Sequence, residues 1–195
     1  MKLKEMKVNT FSLIEEYYPE LKNLAEDTDV INKINGVVNN VAMDLMPHKK
    51  IPMNKDISIS KGTKTLNLVD AIGEEYYQIN KIIGLGNYSM LDDVTIEVPE
   101  DFEGQISVYY YKYPKMVKTI FANDDERVRE DESYTFDLSP DLLHIMPYGI
   151  AADLLKMDMI SGYGRYFYER YMELKNGIDT RRTSGMVYSE GGCDI

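Results

Sequence analysis

The side chains that could do chemistry are few and scattered. There are two histidines, His48 and His144, and one cysteine, Cys193. His48 follows Pro47 and precedes Lys49-Lys50; His144 stands early in an apolar helical run. Neither has a nearby Cys, and no Gly-x-Ser-x-Gly nucleophile turn occurs. Cys193 lies near the chain end, where a thiol has no fixed base to activate it. Two acidic groups, Asp92-Asp93 and Asp124-Asp125-Glu126, offer oxygen ligands for a divalent cation, but neither has the spacing of a calcium loop. Gly84-Leu85-Gly86-Asn87 lacks the third glycine and the following helix of a dinucleotide loop, so it reads as a tight turn. The residues therefore point to no catalytic site, no cofactor and no metal centre.

Composition narrows the classes further. The formal net charge is −11, which disfavours gripping phosphates, because that affinity comes from Lys and Arg. A single cysteine makes no internal disulfide framework. No basic segment is followed by an apolar stretch of signal-peptide type, and no run approaches a membrane span, so a cytosolic origin is expected. Tyrosine is the unusual component, with 16 copies against no tryptophan. A large apolar ring with a polar tip suits half-buried surfaces and subunit contacts.

The elements that must carry these residues follow from periodicity. Thr10 reads as the cap of a helix over 11–18, stopped by Pro19. Asp27 or Thr28 caps a second helix with apolar positions Val30, Ile31, Ile34, Val37, Val38, Val41, Ala42 and Leu45; Asn32, Lys33, Asn39, Asn40 and Asp44 take its other face. The period then changes to two. Alternation around Lys61-Gly62 predicts a hairpin, with further strands over 75–82, 93–98 and 105–113. The charge run 123–133 reads as a solvated loop and 135–138 as a short strand. Ser139 and Pro140 open a helix bent at Pro147, kept slim on one side by Gly149, Ala151 and Ala152. After a break at Ser161-Gly162, a tyrosine-rich helix over 164–176 ends at Gly177. Its Tyr163, Tyr166, Phe167, Tyr168 and Tyr171 cover more than one face, as in a helix buried all round or shared between subunits. The expected fold is α+β. Residues 1–50 and 135–177 form a helical bundle, 51–134 an inserted small antiparallel sheet, and 178–195 an extended C-terminal arm.

This layout resembles the head-to-tail adaptor (connector) proteins of tailed bacteriophages. Three stretches carry the likeness: Asp29-Val30-Ile31-Asn32-Lys33-Ile34-Asn35; the strand Val108-Tyr109-Tyr110-Tyr111-Lys112-Tyr113-Pro114; and the run from Leu138 through Leu155 into the tyrosine-rich helix. The inserted sheet exceeds that of minimal helical members, and the charged stretch 123–133 has no counterpart. The resemblance implies a homo-oligomeric ring, usually of twelve subunits, in the virion neck. Such a ring binds the portal protein above and a stopper or tail protein below, and double-stranded DNA passes through without specific binding. The protein would be made in the host bacterial cytoplasm. Contacts with a neighbour or the portal would fall on Tyr163, Tyr166, Phe167, Tyr168 and Tyr171, and on Arg181, Arg182, Met186, Val187 and Tyr188 of the arm. Another neck protein such as a stopper, or a small metal-dependent enzyme built on the acidic groups, stays open as an alternative.

Overall fold

The computed structural model describes residues 1–86, 88–156 and 162–180. Helix α1 (Leu3–Tyr17) buries Leu3, Met6, Thr10 and Ile14, one residue per turn along a single stripe. It starts seven residues before the expected Thr10 cap. Thr10 is instead a buried mid-helix residue, and its hydroxyl donates to the Met6 carbonyl at 2.9 Å. The early start has a tertiary anchor: Leu3 N–H donates to the Tyr134 carbonyl at 3.2 Å, and Phe136 N–H donates to the Met1 carbonyl at 3.2 Å. Pro19 ends the helix, because the residue before a proline is pushed out of the α region. Helix α2 (Thr28–Leu45) is capped by Asp27, whose carboxylate accepts from the N–H groups of Asp29 and Val30 at 2.8 and 3.2 Å.

Two small sheets follow. Strands β1 (Ile51–Ile59) and β3 (Tyr76–Ile83) flank β5 (Gly104–Lys112), all antiparallel; β2 (Thr65–Asn67) pairs with β4 (Thr95–Glu97). The hairpin expected around Lys61-Gly62 does not form. The turn exists, with Thr63 N–H donating to the Ser60 carbonyl, but β1 leaves for β5. Those strands match over their whole length, from Ile51 opposite Lys112 to Ile59 opposite Gly104, and Ile57 meets Ile106 on the inner face. A long register with a shared apolar row outcompetes a short local one. A further short helix, α3 (Leu68–Ile72), was not expected from the sequence. Asn67 caps it, accepting from Asp70 N–H at 3.1 Å.

The charged run expected as a loop is a helix, α4 (Asp124–Ser133). Its start is built locally. The Asn123 side chain accepts from Glu126 N–H at 2.9 Å, and the Glu126 carboxylate accepts from Ala122 N–H at 2.7 Å. Three acidic residues in the first turn complement the helix dipole. None of its residues is buried. Polar contacts hold it on α1: Lys7 Nζ lies 2.7 Å from Asp131 and Lys4 Nζ 3.4 Å from Glu132. The expected strand over 135–138 reduces to one bridge between Lys2 and Thr135.

Helix α5 (Pro140–Leu154) is the centre of the bundle and packs on α1, α2 and α6 (Tyr163–Thr180). Ser139 takes the N-cap position, yet its hydroxyl makes no capping bond. The helix runs as one element through the buried Pro147. Helix α6 also runs through Gly177, expected as its stop; that glycine does not adopt the positive φ a glycine terminator uses. Gly149 marks the closest approach in the bundle. A Cβ there would lie 2.8 Å from the Tyr171 ring and 2.9 Å from Val41, so α2 and α6 both press on this point of α5. A Gly149→Val variant is expected to lose about 1–3 kcal/mol by overpacking, read as a lower urea midpoint with unchanged slope.

The sheets enclose their own core, including Leu68, Tyr76, Ile96, Ile106, Val108 and Tyr110. The bundle core recruits Val117, Tyr134 and Phe136 from the connecting chain. Among the described residues no helix is long and apolar enough to cross a membrane.

Candidate functional site

The five aromatic positions singled out on α6 divide into two groups. Phe167 is fully buried and Tyr171 is 6% exposed, so these two rings serve the chain's own core. Tyr163 and Tyr166 are half-buried, and Tyr168 is 47% exposed. The partners of Tyr166 and Tyr163 are Tyr17, the last residue of α1, and Tyr18, which follows it. Tyr166 stacks on Tyr17 with ring centroids 4.6 Å apart, and Tyr163 on Tyr18 at 4.3 Å. The Phe167 ring meets Tyr17 and Tyr18 edge-on, each at 5.8 Å. Such tilted and edge-on ring contacts add stabilisation beyond area. A hydrogen bond with Tyr17, followed by burial, pushes the Tyr166 phenol up to about 12. Tyr17 stays 45% exposed. The result is a partly open aromatic face where α1 and α6 meet. Sequence reading did not include Tyr17 and Tyr18 in it. The available signal was a tyrosine pair directly before the proline that ends a helix.

A second feature lies beside this face, in a cleft of about 390 Å³ between α2, α5 and α6. Gly149 and Ala152 are among its lining residues, with Asp44, Asp153, Tyr168, Tyr171 and Lys175. The Tyr171 hydroxyl donates to Asp44 Oδ2 at 2.5 Å, and Lys175 Nζ reaches both carboxylate oxygens at 2.7 Å. Burial opposes the Asp44 charge, but hydrogen bonds from Lys175 and Tyr171 outweigh it and hold the carboxyl below its usual range. Burial first, then the Asp44 carboxylate, raises the Tyr171 phenol far above its usual value. This triad clamps α6 to α2. A phenol made less acidic is a weaker proton source at neutral pH, so its hydrogen bond serves positioning.

The third feature is a pair of asparagines on α2. Asn39 Nδ2 donates to the Val117 carbonyl at 2.9 Å, and its Oδ1 accepts from Val117 N–H at 2.8 Å. One turn away, Asn35 Nδ2 donates to the Lys118 carbonyl at 2.8 Å. The two amides hold an extended connecting segment across the helix in the way a neighbouring strand would. The helical spacing puts Asn39 on the face of α2 opposite the apolar stripe, and that face carries this contact. An Asn39→Leu variant leaves the Val117 N–H and carbonyl unpaired and is expected to cost about 1–3 kcal/mol, whereas the exposed Asn40→Ala is expected to stay within about 0.5 kcal/mol. Paired urea melts check both values.

The remaining candidates are placed apart. His48 sits near Asp44, whose carboxylate its charge favours, while His144 is exposed on α5 in a groove with Arg170 and Glu173. Asp92 Oδ1 accepts from Val94 N–H at 2.8 Å and Thr95 N–H at 2.7 Å, which shapes the turn into β4. Asp124 pairs with Arg127 at 3.1 Å, and Glu126 belongs to the cap of α4. Among the described residues no group of three or more His, Cys, Asp or Glu is arranged to hold a metal ion. On the outer sheet face, Lys81 lies over the Tyr109 ring at 4.6 Å and Lys50 over Tyr111 at 5.1 Å. Arg181, Arg182, Met186, Val187, Tyr188 and Cys193 lie outside the described residues.

No protein-family model matches the chain, and no match was found among curated proteins.

Proposed function

We propose that this chain is a structural head-to-tail adaptor subunit of a tailed bacteriophage. In this reading it acts by assembly, without catalysis. It joins a ring, usually of twelve copies, in the virion neck below the portal, and it contacts a stopper or tail protein on the other side. The observation that carries the reading is the architecture around α5. Helices from both ends of the sequence, α1 and α2 with α6, close on that one helix, and a β region with its own core is inserted between them. This is the layout on which the sequence resemblance rests. The partly open aromatic face that Tyr17 makes with Tyr166 supports it, because half-exposed tyrosines beside a packed core suit a subunit contact. The net charge of −11 suits a channel wall that lets DNA slide past.

The test is reconstitution. The full chain is mixed with the portal protein of the same phage and imaged by electron microscopy. A ring of added density under the portal is expected. A chain that remains monomeric and never joins the portal overturns the reading.

A further inference from the structure

The three-stranded sheet has two edges, β1 and β3, and they are built differently. β3 shifts register against β5 twice, between Tyr76 and Gln78 and between Ile79 and Lys81. Such irregularities break the even row of donors and acceptors that an added strand needs. β1 has none and stays in step with β5 from Ile51 to Ile59. Every second residue of β1 turns its N–H and carbonyl away from β5. Among the described residues no strand pairs with that side, and no backbone hydrogen bond outside the β5 ladder reaches β1. Residues 52–56 are all exposed. Charged side chains commonly guard such an edge. Here both are turned back into their own copy: Lys55 Nζ donates to the Ile72 carbonyl at 3.2 Å, and Asp56 accepts from the Ser107 hydroxyl at 2.6 Å. Pro52, which has no N–H to give, stands near one end.

An open edge of this kind takes extended main chain, and the sequence of β1 fits a second copy of itself. In an antiparallel pair related by a two-fold axis, residues opposite each other share a side of the sheet. Met53, Lys55 and Ile57 lie on the side of Tyr110, Val108 and Ile106, and Pro52, Asn54 and Asp56 on the other. The axis must therefore pass through a residue, not between two. Of the three longest registers, those centred on Lys55 and on Asp56 set like charges opposite each other, which is destabilising. The register centred on Asn54 does not. It pairs Ile51–Ile57 with the same stretch of the second copy, and it sets Pro52 opposite Asp56. Met53, 38% exposed in the single chain, then lies beside the aliphatic stem of Lys55.

We propose that a second copy of this chain adds its β1 antiparallel to β1, centred on Asn54. The two sheets become one, in the order β3-β5-β1-β1-β5-β3, and both remaining edges are the irregular β3. A two-fold contact closes at two copies. It uses the inserted sheet and not the face between α1 and α6, so it stands or falls without the adaptor reading.

Sedimentation velocity of the full chain over a concentration series is expected to show a monomer–dimer equilibrium. Asn54→Lys places two ammonium groups opposite each other at the axis and is expected to weaken the dimer about twofold to fivefold, and Asn54→Asp to do the same. An equal mixture of the two variants is expected to associate about fivefold or more tighter than either alone at low salt. In a Cys193→Ser background, Asn54→Cys is expected to cross-link into a dimer under mild oxidation. Ser58→Cys, held far from its own copy in this register, is expected not to. Circular dichroism checks folding; if Asn54→Lys unfolds, the cross-link decides. A wild type that stays monomeric throughout overturns the contact. So does a dimer that Asn54→Lys leaves unchanged, or one in which Asn54→Cys fails to cross-link.

Discussion

Replacing Phe167 with alanine is expected to lower the unfolding free energy by about 3–5 kcal/mol, the range for deleting a large buried aromatic. Its ring is fully buried and joins Ile14, Ala151, Ala152 and Leu155 in one cluster. It also sits edge-on to Tyr17, Tyr18 and Tyr166. Removal opens a cavity between α1, α5 and α6 and takes away the support beneath the half-exposed tyrosines. Urea titration followed by circular dichroism measures the loss. A cost below about 1 kcal/mol would contradict the burial, since exposed substitutions fall within about 0.5 kcal/mol. Tyr168→Ala is the control: this neighbour on the same helix is largely exposed and is expected to leave the midpoint nearly unchanged.

The second large effect is alkaline unfolding. Burial, then the hydrogen bond with Glu75, pushes the Tyr110 phenol up to about 12. Burial likewise raises Tyr76, Tyr134 and Tyr171, reinforced at Tyr134 by Asp137 and Glu130 and at Tyr171 by Asp44. A phenol whose folded value exceeds its unfolded value keeps its proton longer in the folded chain. The stability it contributes is complete below about pH 10, the unfolded value, and is lost as pH rises through the folded one. Tyr110 alone contributes on the order of 2–3 kcal/mol, lost between about pH 10 and pH 12. Because these phenols sit in both cores, the sheets and the bundle are expected to fail together. Urea midpoints at pH 8, 10 and 11 should hold and then drop steeply; a flat profile to pH 11.5 would contradict the burial of these hydroxyls. Tyr110→Phe should blunt the drop.

What was legible in the sequence was what local physics decides. Helix α2 was readable from an Asp cap and one apolar stripe, and α5 from Ser139-Pro140 and its apolar spacing. The central strand β5 was readable from its β-branched and aromatic run. The α+β class followed from these. What was missed depends on partners far along the chain. Helix α4 has no apolar stripe to read, and it stands because Asn123 and Glu126 close its first turn while Lys7 holds Asp131. The early start of α1 depends on Tyr134 and Phe136, and the role of Asn39 on Val117. On the aromatic helix, spacing marked the right residues but not their division: Phe167 and Tyr171 turn inward, and Tyr168 stays outside. A tyrosine at helical spacing reads the same whether its hydroxyl ends on Asp44 or in solvent.

The closing of α1 and α2 onto α5 and α6 sets an order of events on the ribosome. At roughly 5–20 residues per second, α1 waits on the order of ten seconds or more before α5 emerges behind it. In that interval the inserted sheets, whose strands are all made, can complete their own core, while the apolar stripe of Leu3, Met6 and Ile14 stays uncovered. The first helices are then the stretch a nascent-chain chaperone would hold. The face that Tyr17 makes with Tyr166 cannot exist until α6 has been synthesised, so an unfinished chain has no such surface with which to join others prematurely.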